Sequence, residues 1–292
     1  VRLMVACCIS DALRLQAPNS PFANDRLGDI FELLVSQLGG IEDLNGASYH
    51  RYVYLFERLA ETKSFVLLPD GADDLVAQTF EALFKAAHPE HGKRVERHML
   101  DILTTCIENE ESVAPEVADR VLMNLVEPQK TERPAAYHLA KACLAKCTNE
   151  LQRPLLAFLQ ASIQEALKRG APRDEDDDEA MEEREENDEE SEGVAHAELK
   201  RAWRELLIEL ATVAPVTVGL LLPQVESAVA INDESARVEG TELLAKLLRL
   251  GDFASSHPSL LTVGFFGRLN DVSPHVRAVA VEHAIKLIVD EP

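Results

Sequence analysis

Cysteine and histidine are the residues of this chain whose types and spacing come nearest to a chemical site. Cys143 and Cys147 are one helical turn apart, and His138 precedes them. A structural zinc site needs four such ligands that converge on one point. We therefore interpret the two cysteines as small apolar residues of a helix, and we assign no metal ligand here.

A second group of histidines lies earlier in the chain. His88 and His91 flank Pro89, and His98 follows them. A metal site is one interpretation, but solvated loop histidines are the simpler one. The sequence contains none of the GxxxxGK[ST], GxGxxG, HExxH or GxSxG motifs. Paired carboxylates are no evidence for a catalytic site in this chain, because acidic residues are abundant throughout it. We predict no catalytic residues, no metal and no cofactor.

The composition favours helices packed on helices. Hydrophobic residues make up 46% of the chain but aromatic residues only 5%, and segments that alternate with period two are scarce. The net charge is −22. Such a field repels DNA, RNA and anionic lipid, so we expect neither direct nucleic-acid binding nor membrane binding by this segment.

Much of the negative charge is concentrated in one run. Residues 174–192 hold fourteen acids and the single base Arg184, a net charge of −13, which leaves −9 for the rest of the chain. A segment this polar cannot bury enough apolar surface to order itself. We predict a disordered insertion over 169–193. The alternative is an acidic tail that docks onto a basic partner or mimics nucleic acid.

The cysteines indicate the cellular compartment of the protein, and the start of the chain indicates whether it is a fragment. The five cysteines are odd in number and match no disulfide framework, which predicts buried free thiols in a reducing compartment. We find no signal peptide and no run of eighteen apolar residues. The chain starts at Val1 without a methionine, in an apolar pattern that resembles the middle of a helix. We expect a fragment of a longer protein.

The organisation of the chain is indicated by a repeat near the C-terminus. Residues 231–248 and 269–288 share a pattern in which an Asn-Asp pair, at 232–233 and again at 270–271, precedes an amphipathic helix. A period near forty is typical of stacked helical hairpins of the HEAT or armadillo kind. The predicted fold is all-α, a HEAT-repeat α-solenoid, which is a superhelix of antiparallel helix pairs. Such arrays mostly bind other chains.

Apolar spacing predicts about thirteen helices. They cover 2–16, 26–38, 49–62, 73–87, 94–107, 116–126, 135–148, 155–168, 197–213, 216–230, 234–250, 258–269 and 273–289. The predicted domains are a first part of the array at 1–168, the acidic insertion at 169–193 and a continued array at 194–292.

Prolines and polar residues mark the predicted helix ends. Pro115, Pro134 and Pro154 suit first turns, and Ser273 followed by Pro274 predicts a cap with a first-turn proline. Asp233 and Asp271 are also predicted caps. Arg237 and Arg277 are expected to pair with carboxylates of the neighbouring repeat.

A proline-bracketed turn follows the first helix. Pro18 and Pro21 enclose Asn19 and Ser20 directly after a very apolar segment. Proline fixes its own backbone and restricts the residue before it. The turn should therefore be rigid and present carbonyl groups and small side chains. A plain loop between two helices is the alternative.

The stretch around this turn resembles a known family. It reads VRLMVACCISDALRLQAPNSPF, and further blocks in the same order read FELLVSQLGGIEDLNGASYHRYVYLFERLAETKS, VERHMLDILTTCI, LVEPQKTERPAAYHLAKACL and FFGRLNDVSPHVRAVAVEHA. Together they resemble the N-terminal to middle part of the cohesin-associated regulators known as precocious dissociation of sisters. The resemblance covers almost the whole chain apart from the acidic run.

The resemblance implies a function. Members of that family are nuclear, chromatin-associated HEAT-repeat scaffolds of sister-chromatid cohesion. They bind the kleisin subunit of the cohesin ring, the wings-apart-like release factor and the cohesion acetyltransferase. The family's kleisin and inositol phosphate regions are expected largely beyond residue 292, so we assign no inositol phosphate site.

The resemblance also implies a peptide-binding groove. The family's Ala-Pro motif maps onto Ala17, Pro18, Asn19, Ser20 and Pro21. The family usually has an acid and an alanine where this chain has Asn19 and Ser20. The facing helix is expected to contribute groove-lining residues, namely Arg51, Tyr52 and Glu57.

We thus expect a non-catalytic scaffold that captures peptides of cohesin partners. The alternative is a HEAT or armadillo adaptor in transport or in vesicle coats, which localisation would distinguish. An enzyme built on helices is the third candidate, and no nucleophile, metal set or phosphate loop in the sequence favours it.

Overall fold

The structure is a computed structural model, and it describes residues 1–69, 71–108, 112–169, 189–228 and 233–290. These residues form α-helices joined by short links, and no strand occurs among them. None of the helices in these ranges is both long enough and apolar enough to cross a membrane.

Fifteen α-helices occur in the described ranges. They are α1 (Arg2–Gln16), α2 (Asn24–Leu38), α3 (Tyr49–Glu61), α4 (Asp73–Ala86), α5 (Lys93–Ile107), α6 (Pro115–Met123), α7 (Gln129–Glu132), α8 (Pro134–Lys146), α9 (Thr148–Arg169), α10 (Glu189–Arg201), α11 (Trp203–Val213), α12 (Pro215–Ala228), α13 (Glu234–Leu248), α14 (Gly251–Ser256) and α15 (Pro274–Asp290).

Most predicted helices are confirmed within a residue or two, and Pro115 and Pro134 open α6 and α8 as expected. The prediction that Pro154 opens a helix is wrong, because α9 already starts at Thr148 and contains Pro154. The missing N–H of a proline costs one helical hydrogen bond, and this helix accommodates that loss near its start.

Two other predicted helices differ from the structure. The predicted helix 197–213 is interrupted at Ala202, so that α10 and α11 are separate and Trp203 is buried at the start of α11. The predicted helix 258–269 is irregular, with a π-helix over Leu260–Phe265 and a 3₁₀-helix over Phe266–Asn270.

The structure divides into two compact units, Val1–Pro154 and Leu155–Pro292. The predicted boundaries at 168 and 194 remain predictions. Within the predicted insertion, residues 170–188 lie outside the described residues, whereas α10 begins at Glu189 and makes the last residues of that segment helical.

The first unit is built from two layers of helices. Helices α1, α3, α5 and α8 pack side by side in one layer, and α2, α4 and α6 pack in the other. Consecutive helices of the two layers form hairpins, since α1 packs on α2 and α4 packs on α5. Stacked hairpins of this kind bury a continuous core between the layers.

The core of the first unit consists of aliphatic side chains around a few phenylalanines. Phe31, Phe56 and Phe80 are fully buried, and the rings of Phe31 and Phe65 lie 5.4 Å apart between centroids. Each buried phenylalanine contributes about 1.5–3 kcal/mol of transfer free energy. The apolar stripes of the helices therefore fix the layers against each other.

The second unit contains the predicted repeat. Helices α11, α13 and α15 pack in sequence, and α12 packs on α11. Asp233 caps α13 as predicted, because its carboxylate accepts a hydrogen bond from the Ala236 N–H at 2.7 Å. Arg237 on α13 pairs with Asp271 at 3.1 Å, as expected for a carboxylate of the neighbouring repeat.

Two polar predictions in the second unit are wrong. Ser273 is the residue that caps α15, since its hydroxyl accepts the His275 N–H at 3.1 Å, whereas Asp271 lies too early in the turn and accepts the N–H of Ser273. Arg277 donates to the carbonyl oxygens of Asp271 and Val272 because its side chain reaches back over the turn.

Candidate functional site

The turn formed by residues 17–21 is an exposed surface at the end of α1. Ala17, Pro18, Asn19 and Pro21 are exposed, and Ser20 is half-buried. The Ala17–Pro18 peptide bond is cis. Leu15, three residues before Pro18, has 73% of its surface exposed. An aliphatic side chain and two proline rings thus share this end of α1.

Local hydrogen bonds hold the turn. The Asn19 N–H donates to the Gln16 carbonyl at 3.0 Å, which closes the turn after the helix. The Ser20 hydroxyl accepts the Phe22 N–H at 3.0 Å and donates to the Phe22 carbonyl at 3.1 Å. Small polar side chains in turns commonly bond the backbone in this way. The Ser20 side chain therefore has a structural role here, whereas Asn19 contributes through its backbone N–H.

The neighbouring helix α3 runs parallel to α1 in a defined register. The Cys7 thiol donates to the Arg51 carbonyl at 3.7 Å, and the Tyr54 hydroxyl donates to the Asp11 carboxylate at 2.7 Å. Later residues of α1 thus lie beside later residues of α3. Ala17 comes ten residues after Cys7, about 15 Å further along the helix axis.

This register separates the predicted groove residues. Ala17, Pro18, Asn19, Ser20 and Pro21 are contiguous, but the structure does not bring Arg51 next to them, since Arg51 lies beside Cys7 in the first half of α1. Glu57 lies between these two levels, about 6 Å along the axis from Ala17.

Tyr52 and Glu57 already have contacts on other elements. The Tyr52 ring packs so closely over Gly40 that a Cβ atom on Gly40 would overlap it. The Glu57 carboxylate forms an ion pair with Arg94 of α5, and only 20% of the Glu57 side chain is exposed. Of the three α3 residues, Arg51 is the one whose side chain is exposed.

The register brings other polar residues close to the turn, and the sequence did not single them out. The Arg58 guanidinium lies over the Tyr54 ring, 4.9 Å from its centroid, and pairs with Glu61 at 3.1 Å. Arg14, which precedes the turn, pairs with Asp11 at 3.8 Å. These residues could have been found from their spacing, because Tyr54, Arg58 and Glu61 lie on one face of a predicted helix.

Ion pairs link successive helices of this layer beyond α3. Lys63 pairs with Glu108 at 3.1 Å, and Asp101 of α5 pairs with Lys146 of α8 at 2.9 Å. Both pairs are partly exposed, so each contributes at most about 1 kcal/mol. They serve mainly to keep the exposed edge of the layer polar and in register.

The prediction of buried free thiols is confirmed for four of the five cysteines, and the reducing compartment stays a prediction. All five thiols are free, and four of them are buried. Cys8 is the exception, because it lies on the exposed face of α1. A hydrogen bond with Cys147 and burial together raise the pKa of the Cys143 thiol. A thiol held protonated in this way is a poor nucleophile.

The histidines differ from the predicted solvated state. His91 is buried, and its ring contacts the Tyr49 hydroxyl at 3.2 Å and the Ala86 carbonyl at 3.0 Å. His98 is also buried, and burial lowers the pKa of both histidines. No group of three or more potential metal ligands occurs within the described ranges.

The two-layer stack of helical hairpins defines a class of protein, the helical-repeat proteins. A solved structure described as the Pds5–Scc1 complex has the same fold, with a TM-score of 0.72 and 23% sequence identity. The superposition covers 99% of this chain and 41% of that one. The fold is therefore the predicted HEAT-repeat α-solenoid.

Sequence comparison identifies the family. The family described as "Sister chromatid cohesion protein PDS5 protein" matches residues 1–292. The PDS5 homolog A proteins of Danio rerio and Homo sapiens are each 30% identical to this chain over 297 aligned residues. This chain belongs to the PDS5 family. It spans about a fifth of the length of these relatives, 20% in each case.

Proposed function

We propose that this chain is a non-catalytic scaffold that regulates the cohesin ring in sister chromatid cohesion. It captures short peptide segments of cohesin partners at the turn formed by residues 17–21. The partners are the kleisin, the wings-apart-like release factor and the cohesion acetyltransferase, and the protein acts on chromatin in the nucleus. Membership of a family of cohesion proteins supports the cellular process. The complex of the structural neighbour with Scc1 supports the kleisin.

One observation carries the peptide site, namely the exposure of apolar groups at a rigid turn. Pro18 and Pro21 are exposed beside Leu15, so three apolar side chains at this turn are accessible to a partner chain. Hydrogen bonds of Asn19 and Ser20 hold the turn in shape. A preformed surface binds a peptide at a lower entropic cost than a flexible loop does.

The register of α1 and α3 suggests how the remaining residues would take part. An extended peptide advances about 3.3 Å per residue, so roughly five residues would lead from the level of Ala17 to that of Arg51. Such a peptide would pass Glu57 on the way. Tyr52 would have an indirect role and would not contact the peptide, because its ring packs against Gly40 and supports this end of α3.

The experiment is a binding titration with fluorescently labelled peptides that tile the release factor. The chain with Pro18→Lys and Pro21→Lys is expected to bind its best peptide about tenfold more weakly, because two contact surfaces are lost. Pro115→Lys, an exposed proline at the start of α6, serves as the control and should change affinity less than about twofold.

Circular dichroism and the denaturation midpoint confirm that the variants are folded. If the double variant binds every peptide as the unchanged chain does, the turn is not the binding site.

A further inference from the structure

A groove on the first unit lies between α5 and α8, well away in sequence from the turn of residues 17–21. We call it the α5–α8 groove. Its volume is about 860 Å³, within the usual range for ligand sites. Met99 and Leu139 lie on its floor, with 1% and 7% of their surfaces exposed, and Ala142 is half-buried beside them. The floor is therefore apolar.

Basic side chains surround this floor. Lys93, Arg97 and Lys146 line the groove together with the acids Glu96 and Asp101. Asp101 pairs with both Lys146, at 2.9 Å, and Arg97, at 3.7 Å, so one carboxylate serves two cations. Lys93 forms no ion pair with any described residue. The rim thus has more positive than negative charge in a chain whose net charge is −22.

The cations at the rim are accessible. Arg97 has 80% of its side chain exposed and Lys146 has 48%. A strongly acidic protein that retains a local basic rim around an apolar floor presents a surface complementary to a ligand with both acidic and aliphatic groups.

A second cavity on the other side of α5 shares two of these cations, Lys93 and Arg97. It has a volume of about 620 Å³, and its charged lining consists of the bases Lys93, Arg94 and Arg97 and the acids Glu61 and Asp101, with His98 beside them. The His98 residue is 8% exposed, and its Nε2 atom has no hydrogen-bond partner. Buried polar atoms are almost always paired.

We propose that the α5–α8 groove binds an acidic peptide segment of a partner protein. An aliphatic side chain of the peptide sits on the Met99–Leu139 floor. Carboxylates on either side of it reach Lys93, Arg97 and Lys146.

Charge and shape select this occupant over two others. A second copy of the chain would bring a net charge of −22, many times the charge of a short acidic peptide, and would be repelled far more strongly. A small polyanion would pair with the cations but would gain nothing from the apolar floor. The site shares no residue with the turn formed by residues 17–21, so it is a second docking surface that does not depend on the first.

The probe is a fluorescein-labelled heptapeptide, Asp-Glu-Leu-Asp-Leu-Glu-Asp, titrated with the 292-residue chain at low salt. Arg97→Glu is expected to weaken binding about fivefold, because it reverses an exposed charge at the rim. The matched control is Arg26→Glu, since Arg26 is 71% exposed and pairs with Asp29 along α2 as Arg97 pairs with Asp101 along α5. The control should change affinity less than about twofold.

Two further arms test the apolar part and the independence of the site. A peptide with both leucines changed to serine should bind about tenfold more weakly, because the floor is then unused. The chain with Pro18→Lys and Pro21→Lys should bind the heptapeptide normally, whatever happens to the release-factor peptides.

Four results would overturn the proposal. The first is that a peptide with amides in place of its carboxylates binds with equal affinity, and the second is that Arg97→Glu and Arg26→Glu lose equal affinity. The third is that the serine peptide binds as the leucine peptide does and that tripolyphosphate displaces it fully. The fourth is that the chain self-associates and that Arg97→Glu abolishes this self-association. The third result would identify a simple anion patch, and the fourth an interface between copies.

Discussion

The Tyr54 hydroxyl and the Asp11 carboxylate form a 2.7 Å hydrogen bond between two helices that are parallel neighbours in one layer. This bond fixes how far α3 is advanced along α1. Together with the contact from the Cys7 thiol to the Arg51 carbonyl, it places Arg58 and Glu61 near the turn of residues 17–21. The neighbours of the candidate peptide site therefore depend on this register.

Changing Tyr54 to phenylalanine should lower the free energy of unfolding by about 1 kcal/mol, because one hydrogen bond to a partly exposed carboxylate is lost. Tyr52→Phe is the control on the same helix, since no hydrogen bond of its hydroxyl is present in the described ranges. Urea denaturation measures both. Equal losses in the two variants would show that the Tyr54 bond contributes nothing specific.

Gly40→Ala should destabilise the chain by about 1–2 kcal/mol, because the added Cβ would overlap the Tyr52 ring. Gly39→Ala is the matched control. Gly39 has a φ of −60° and no atom near its missing Cβ, so alanine there should be neutral or slightly stabilising. A double-mutant cycle with Tyr52→Ala should remove most of the cost at Gly40. A cost that persists in that background would place its cause elsewhere.

Asp233→Ala should lower stability by about 1 kcal/mol, because the Ala236 N–H in the first turn of α13 loses its acceptor. Asp233→Ser keeps an acceptor oxygen and should retain most of that free energy. Thermal or urea unfolding of the three proteins distinguishes the outcomes. A serine variant as unstable as the alanine variant would contradict the capping role.

The Arg237–Asp271 pair should make stability depend on acid pH. Burial acts to raise the pKa of Asp271, but the Ser273 N–H and the Arg237 and Arg268 guanidinium groups outweigh it and hold the pKa below its ordinary value. A carboxyl group with a depressed native pKa stabilises the fold above its unfolded pKa, near 3.9, and this contribution is lost as the pH falls through the native pKa.

The variant Asp271→Asn lacks that titration. It should be less stable than the unchanged chain by about 2 kcal/mol at pH 6, and this difference should shrink as the pH falls below about 4. Urea denaturation at several pH values provides the comparison. A difference that stays constant from pH 6 to pH 3 would mean that Asp271 does not titrate as the pair requires.

Local sequence signals predicted the helices well wherever such signals alone determine where a helix begins and ends. Periodic apolar residues gave α1 its full extent, and Ser273 with Pro274 marked the start of α15. The break at Ala202 has no proline or glycine that would predict it, and the buried Trp203 follows it directly. Packing between distant segments is not readable from such local patterns.

The candidate site was predictable in part for the same reason. Two prolines announced the turn at residues 17–21, and its exposure agrees with a surface role. The pairing of Glu57 with Arg94 and the position of Arg51 beside Cys7 depend on contacts between residues about forty positions apart. Such pairings depend on how far one helix is advanced along its neighbour, and a single sequence does not contain that information.

Amide hydrogen exchange of the 292-residue chain, with and without its tightest release-factor peptide, tests the central claim most directly. Bound peptide should slow exchange at the amides of residues 14–24 and of the second half of α3, and Pro18→Lys with Pro21→Lys should abolish that slowing. Slowed exchange confined to other helices, or unchanged by the double variant, would contradict peptide capture at this turn.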